Sequence, residues 1–185
     1  PRSTISEAIR TVRTNILFSA SDGETKVLLV TSAMAQEGKT IMSTNLSVGF
    51  AQLGKKVLLI DADMRKPRVH TVFNLEREPG LSEVLVDAKE PPLVIRDTQV
   101  ANLKLITCGT IPPNPAELLI SPRMDAFIQE MKKQFDIIVI DSPPITSVTD
   151  AVEISSFVDG VVVVIKTGAT PRPAAQSAIH QLSEV

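Results

Sequence analysis

The chain contains no tryptophan and no tyrosine, and its 185 residues include only six phenylalanines as aromatics. Without a tyrosine it cannot itself carry a phosphotyrosine. One cysteine, Cys108, excludes an internal disulfide and any metal site built from several thiolates. Two isolated histidines, His70 and His180, are too few to complete a zinc cluster with it. Apolar runs stop at four or five residues, far short of the roughly 20 that cross a bilayer. Neither sign of charge is in excess: 19 Lys and Arg stand against 21 Asp and Glu, a formal net charge of −2. Bulk electrostatics therefore give no case for a nucleic-acid binder. The polar N-terminal stretch, with its scattered charges, reads as no secretory leader and a reducing, cytoplasmic setting; a first residue of Pro rather than Met reads as a fragment or a trimmed chain.

With 43% apolar and 22% charged residues, the chain has the make-up of one ordinary globular domain covering residues 1–185. Four short apolar runs stand out: Val27-Leu28-Leu29-Val30, Val57-Leu58-Leu59-Ile60, Ile137-Ile138-Val139-Ile140 and Val161-Val162-Val163-Val164-Ile165. None alternates with polar residues, so each predicts a strand covered on both faces, as in a parallel sheet between helices. Helical spacing appears over 40–53, stopped by Gly54, and over 122–134, with Ser121 as the expected cap and Pro122 in the first turn. Further helices are expected over 150–158 and 173–185. Strand and helix in alternation predict an α/β fold, a doubly wound and mainly parallel sheet flanked by helices. Such a sheet takes one more strand after the last helix, and the sequence ends before one. From 65 to 115 the pattern is looser, with a short helix over 81–86, a strand fragment over 93–96 and a firmer strand over 103–107. Three prolines predict an extended, non-helical loop over Ile111-Pro112-Pro113-Asn114-Pro115.

The first run leads through Thr31-Ser32-Ala33-Met34-Ala35-Gln36-Glu37-Gly38-Lys39-Thr40 directly into a helix. Strand, loop, Gly-Lys-Thr, helix is the layout of a phosphate-binding loop. Its backbone N–H groups, from Gln36, Glu37 and Gly38 through Lys39, Thr40 and Ile41, would present partial positive charge to phosphate oxygens. Lys39 would reach the β- and γ-phosphates, and the Thr40 hydroxyl would ligate Mg²⁺. The usual pattern has Gly at position 33, where this chain has Ala33. The second run ends in Asp61-Ala62-Asp63 and the third in Asp141. In a parallel sheet the strand C-termini share the edge that carries the phosphate loop, so three carboxylates should gather near Lys39. Asp141 reads as the acid that holds Mg²⁺, while one of Asp61 and Asp63 should face the site and the other a loop or neighbour. Carboxylates beside Mg²⁺ and a γ-phosphate suit a base for an attacking hydroxyl. Arg65 and Lys66 read equally as supports for this acidic region or as a solvated pair. Met34, Met42 and Met64 read as filler, and Cys108 as a small buried residue.

These motifs occur together with Glu7-x-x-Arg10-x-x-Arg13 in an N-terminal helix (1–22), Leu59-Ile60-Asp61-Ala62-Asp63-Met64-Arg65-Lys66-Pro67, Gly80-Leu81-Ser82, and Ile111 through Leu119 with its Pro-Pro-Asn-Pro-x-Glu-Leu core. From about Ser6 to its end the chain resembles the cytoplasmic kinase domain of the bacterial tyrosine kinases that regulate capsule and exopolysaccharide export. The resemblance implies ATP-dependent phosphorylation of tyrosines, chiefly in a tyrosine-rich tail of the next subunit of a ring. It implies that Lys39, Thr40, Asp61, Asp63 and Asp141 bind Mg-ATP or Mg-ADP, with Thr40, Asp61 and Asp141 on the metal and Asp61 as base. Glu7, Arg10 and Arg13 would pack onto the neighbouring subunit in a homo-oligomer. The implied partner is a transmembrane polysaccharide co-polymerase segment or subunit, with no nucleic acid, at the cytoplasmic face of the bacterial inner membrane.

Two departures stand out. Family loops read Pro-Gly-x-Gly-Lys where this chain reads Ala35-Gln36-Glu37-Gly38-Lys39, which removes a glycine suited to positive φ. The tyrosine cluster is also missing. Partitioning and division-site ATPases share the sheet, Asp61 and Asp141, but place a second lysine where this chain has Met34, and a thioether cannot act as a cation. A third reading is a non-catalytic nucleotide-sensing assembly module.

Overall fold

A computed structural model describes residues 4–18, 26–86 and 89–184. In chain order the elements are α1 (Thr4–Phe18), β1 (Lys26–Ser32), α2 (Lys39–Ala51), β2 (Val57–Asp61), α3 (Val69–Val72) and α4 (Leu81–Leu85). They continue with β3 (Arg96–Asp97), β4 (Leu103–Ile106), α5 (Pro115–Leu119), α6 (Pro122–Lys132), β5 (Ile137–Asp141), α7 (Asp150–Ser155), β6 (Gly160–Val164) and α8 (Arg172–Ser183). The remainder of the expected 1–22 helix lies outside the described residues.

The strands form one sheet in the order β3-β4-β2-β5-β1-β6, parallel throughout except that β3 runs antiparallel to β4. Successive residues of β1 serve opposite faces. Val27 and Leu29 pack with Leu58, Ile60, Ile138 and Ile140 on one side; Leu28 and Val30 pack with Leu59, Val139, Leu46 and Phe50 on the other. Helices α1 and α2 cover the second face, and α4 to α8 the first. That double cover is why the strand sequences are continuously apolar.

Some local expectations change. Ser121 does not cap α6 with its side chain; its hydroxyl donates to the Leu118 carbonyl instead, while Pro122 opens the helix. Pro115 begins α5, so the Pro-rich loop becomes helical at its last residue, where the missing N–H has no intrahelical role. Of 93–96 only Arg96 enters a strand, because Pro91–Leu93 form a 3₁₀ turn. The 161–165 run is half-buried and ends at Val164, since β6 lies at the sheet edge with a neighbour on one side, β1. Gly80 explains itself sterically: a Cβ there would lie 2.2 Å from the Thr107 carbonyl oxygen, so the Gly80-Leu81-Ser82 motif is a close crossing of α4 over the end of β4.

For function, register matters most. Asp61 at the end of β2 is the direct cross-strand partner of Asp141 at the end of β5, and Asp141 in turn pairs with Val30 of β1. Adjacent strands lie about 4.8 Å apart. Two acids and the start of the phosphate loop therefore share one rim before any side chain is placed.

Candidate active site

The loop between β1 and α2 turns on two residues of positive φ, Gln36 at 65° and Gly38 at 95°. Gln36 thus adopts the left-handed conformation that the missing glycine would take freely, at a cost of about 1 kcal/mol for a residue with a Cβ. The first intrahelical bond of α2 runs from Met42 N–H to the Gly38 carbonyl at 2.9 Å. The N–H groups of Lys39, Thr40 and Ile41 therefore lie outside the helix's own ladder, at its positive end. Glu37 braces the loop. Its Oε2 accepts from Met34 N–H at 2.7 Å, and its Oε1 accepts from the Thr170 hydroxyl in the β6–α8 connection. Met34 itself is 39% exposed.

Across the rim, Lys39 Nζ lies 2.7 Å from Asp63 Oδ2 and 3.8 Å from Asp141 Oδ2. The Thr40 hydroxyl donates to the same Asp141 oxygen at 2.7 Å. The structure thus brings Lys39, Thr40, Asp63 and Asp141 into one contact network. Asp61 sits beneath them: its Oδ1 accepts from Asp63 N–H at 3.2 Å and its Oδ2 from Val69 N–H at 3.0 Å. Asp63, not Asp61, is the acid that meets Lys39, while Asp61 is turned toward the loop backbone. All three carboxylates are buried.

Burial, and after it the Asp141 charge, push the Asp61 carboxyl up to about 8 although the Val69 N–H favours its anion. Burial likewise lifts Asp141 to about 6, with the Lys39 ammonium and the Thr40 hydroxyl holding it back. Three buried acids facing one ammonium form a region short of positive charge. Asp141 Oδ1 is buried without a hydrogen-bond donor, which leaves a carboxylate lone pair at the rim unsatisfied. Such a donor set, one hydroxyl with hard carboxylate oxygens, fits Mg²⁺, which takes one or two protein carboxylates and completes its shell with phosphates and water. No cage of three or more His, Cys, Asp or Glu occurs among the described residues. A cavity of about 430 Å³ lined by Lys56, Asn102, Gln134 and Phe135 opens at the opposite end of the strands and is unrelated to this chemistry.

Sequence reasoning missed the partner of Arg65. Its guanidinium donates through Nε and Nη2 to both oxygens of Asp150, at 3.0 and 2.9 Å, and Asp150 is fully buried at the start of α7. The two residues are 85 positions apart, and no pattern in the sequence connects them. The N-terminal motif stays apart from the rim. Arg10 and Glu7 form an exposed ion pair at 2.8 Å. Arg13 turns inward and donates to the Gly49 carbonyl at 2.8 Å, near the far end of α2, about 15 Å along the helix from Lys39.

Residues 25–185 match the family model described as AAA domain. The chain is 44% identical over 183 residues to the tyrosine-protein kinase YwqD of Bacillus subtilis, covering 99% of this chain and 77% of that protein. It is also 44% identical over 165 residues to the putative tyrosine-protein kinase CapB of Staphylococcus aureus, covering 89% of this chain and 72% of CapB. The solved kinase domain of the Escherichia coli tyrosine kinase ETK superposes with a TM-score of 0.93 at 33% identity, covering 97% of this chain and 70% of that one. More distantly, the septum site-determining protein MinD of Pyrococcus horikoshii, solved with Mg-ADP, shares the fold at 23% identity and a TM-score of 0.65, covering 76% of this chain and 57% of MinD. With its phosphate loop, its converging carboxylates and these relatives, the chain belongs to the bacterial tyrosine-protein kinase family.

Proposed function

We propose that this chain transfers the γ-phosphoryl group of ATP to tyrosine hydroxyls of another chain, in the control of capsule or exopolysaccharide assembly. The observation that carries this reading is the convergence of Lys39, Thr40, Asp63 and Asp141 at one rim beside the start of α2. Backbone N–H groups from Gln36, Glu37, Gly38, Lys39, Thr40 and Ile41 hold the phosphates. Lys39 leaves Asp63 for the β- and γ-oxygens and steadies the charge that spreads over the group in flight. Thr40, Asp61 and Asp141 form the metal side of the site, where bound Mg²⁺ supplies charge neutralisation and aligns the phosphates. Asp61 is the base. Its oxygens accept from the N–H groups of Asp63 and Val69 rather than from Lys39, and it stands directly across the sheet register from Asp141.

Since the chain has no tyrosine, the acceptor is supplied elsewhere, as a tyrosine-rich tail of a neighbouring subunit. Glu7, Arg10 and Arg13 mark the face of α1 that meets that neighbour in a ring; Arg13 fixes the helix on its own α2 while the other two stay exposed. The match covers 23% of E. coli etk, so most of that protein lies outside the matched region; a transmembrane polysaccharide co-polymerase segment or subunit is proposed as the activating partner. No described helix is long and apolar enough to cross a membrane, so the place at the cytoplasmic face of the inner membrane depends on that partner.

The test is transfer from γ-labelled Mg-ATP to a tyrosine-bearing peptide in the presence of the activating segment. Label should appear as phosphotyrosine on the peptide and none as phosphotyrosine on the chain. Asp61→Asn should lower kcat by roughly 10²–10⁴-fold. ADP release without phosphotyrosine would refute the kinase reading and favour a nucleotide-gated switch.

A further inference from the structure

Arg65 lies in the segment that follows β2, and the hydrogen bonds of its side chain go to Asp150 rather than to the acids of the rim. Its two-pronged bond to Asp150 links that segment to the first residue of α7. Both oxygens of a fully buried carboxylate are engaged, and the Arg65 side chain that covers them is 41% exposed. A fork that matches a carboxylate on two atoms fixes orientation as well as distance.

That orientation is passed directly to the site through the backbone. Asp63 Oδ1 accepts from the N–H of Arg65 at 3.3 Å and from the N–H of Lys66 at 2.9 Å, while Asp63 Oδ2 faces Lys39. The residue whose side chain is anchored in α7 is therefore one of the two whose amides aim the Asp63 carboxylate. The stretch from Asp141 to α7 is pinned at its other end: Ser142 N–H donates to the Val30 carbonyl, the Thr31 hydroxyl to the Pro143 carbonyl, and Thr146 N–H to the Ala33 carbonyl. The segments that carry Lys39, Asp63 and Asp141 are thus joined in a closed frame, and the Arg65–Asp150 pair is the bond that closes it.

We infer that Arg65 is a positioning residue for phosphoryl transfer: held by Asp150, it fixes the amides that aim Asp63 at Lys39, and it neither binds nucleotide nor serves as a solvated surface charge. This deepens the kinase reading and rests on it for the kinetic part of the test. Arg65→Lys keeps the charge and loses the fork; Arg65→Ala loses both.

In the Arg65→Lys variant kcat should fall roughly 10-fold, with KM for Mg-ATP and calorimetric affinity for Mg-ADP within about 3-fold of wild type. In Arg65→Ala the fall should be larger and partly reversed by added methylguanidinium. Combining Arg65→Ala with Asp63→Asn should be no slower than Asp63→Asn alone, because both changes remove the same thing. Independently of any turnover, exchange of the Lys66 amide hydrogen should speed at least 10-fold in Arg65→Lys, with the Val69 amide beneath it unaffected. A rise in KM or a loss of Mg-ADP affinity at constant kcat would overturn the inference by making Arg65 a nucleotide ligand. Losses that multiply with Asp63→Asn, or an unchanged Lys66 amide, would overturn it by severing Arg65 from Asp63. A wild type that transfers no phosphate would sink the kinase reading, and the amide measurement would still decide the positioning role.

Discussion

The C-terminal rim of the sheet and helix α1 each carry a set of charged residues, and the fold treats them differently. At the rim, residues as distant as Thr40 and Asp141, 101 positions apart, are driven into contact and buried. The sheet register leaves Asp61 and Asp141 no alternative to being neighbours. On α1 the charges follow one another on a single helix, and two of the three form an exposed pair with each other. Burial makes the difference: it raises Asp61 and Asp141 toward neutral pH, whereas a solvated pair one helical turn apart is worth a few tenths of a kcal/mol. A site that must grip charge stores a shortage of positive charge, and a surface helix does not.

The largest effect expected from this contrast is in pH dependence. Asp61 and Asp141 in the free chain keep protons that the unfolded chain releases near 3.8. Their contribution to stability is therefore complete below about pH 4 and is lost as pH rises through about 6 for Asp141 and about 8 for Asp61. Denaturant midpoints between pH 4 and 8 should show the wild type losing roughly 1 kcal/mol per pH unit relative to Asp61→Asn. Saturating Mg-nucleotide should flatten the difference. Parallel curves for the two proteins would mean that Asp61 is not strained by its burial.

The smaller effect lies on α1. Arg13→Ala removes a hydrogen bond to the Gly49 carbonyl and the packing of its methylenes over Gly49. It should destabilise the chain by about 1 kcal/mol. Arg10→Ala should cost only a few tenths of a kcal/mol. Equal costs in the same unfolding assay would erase the distinction drawn between an inward and an outward arginine on this helix.

Most of the fold and the principal site residues were legible because topology carries them. Continuous apolar runs require cover on both faces, parallel strands require a common C-terminal edge, and that edge gathers Lys39, Thr40, Asp63 and Asp141. Contacts set by loop conformation were not legible. Arg65 and Asp150 are 85 residues apart, and Glu37 and Thr170 are 133 apart, with no periodicity to connect either pair. Which of Asp61 and Asp63 meets Lys39 depends on the turn after β2, where Asp61 is drawn to the N–H groups of Asp63 and Val69. Gln36 shows the reverse situation. The sequence identifies the conformational difficulty, and the fold accepts it, because the loop must bend there to present the start of α2. Pro115 and β6 departed from expectation for positional reasons, one being first in a helix and the other last in a sheet.

The central claim is that Lys39 and the rim acids together hold a magnesium-bearing nucleotide. Calorimetric titration of Mg-ADP into wild type, Lys39→Met and Asp141→Asn tests it most directly. Clear binding to wild type, weakened by roughly 100-fold or more in each variant, about 3 kcal/mol, is the expected result. Equal affinities in all three proteins would contradict it.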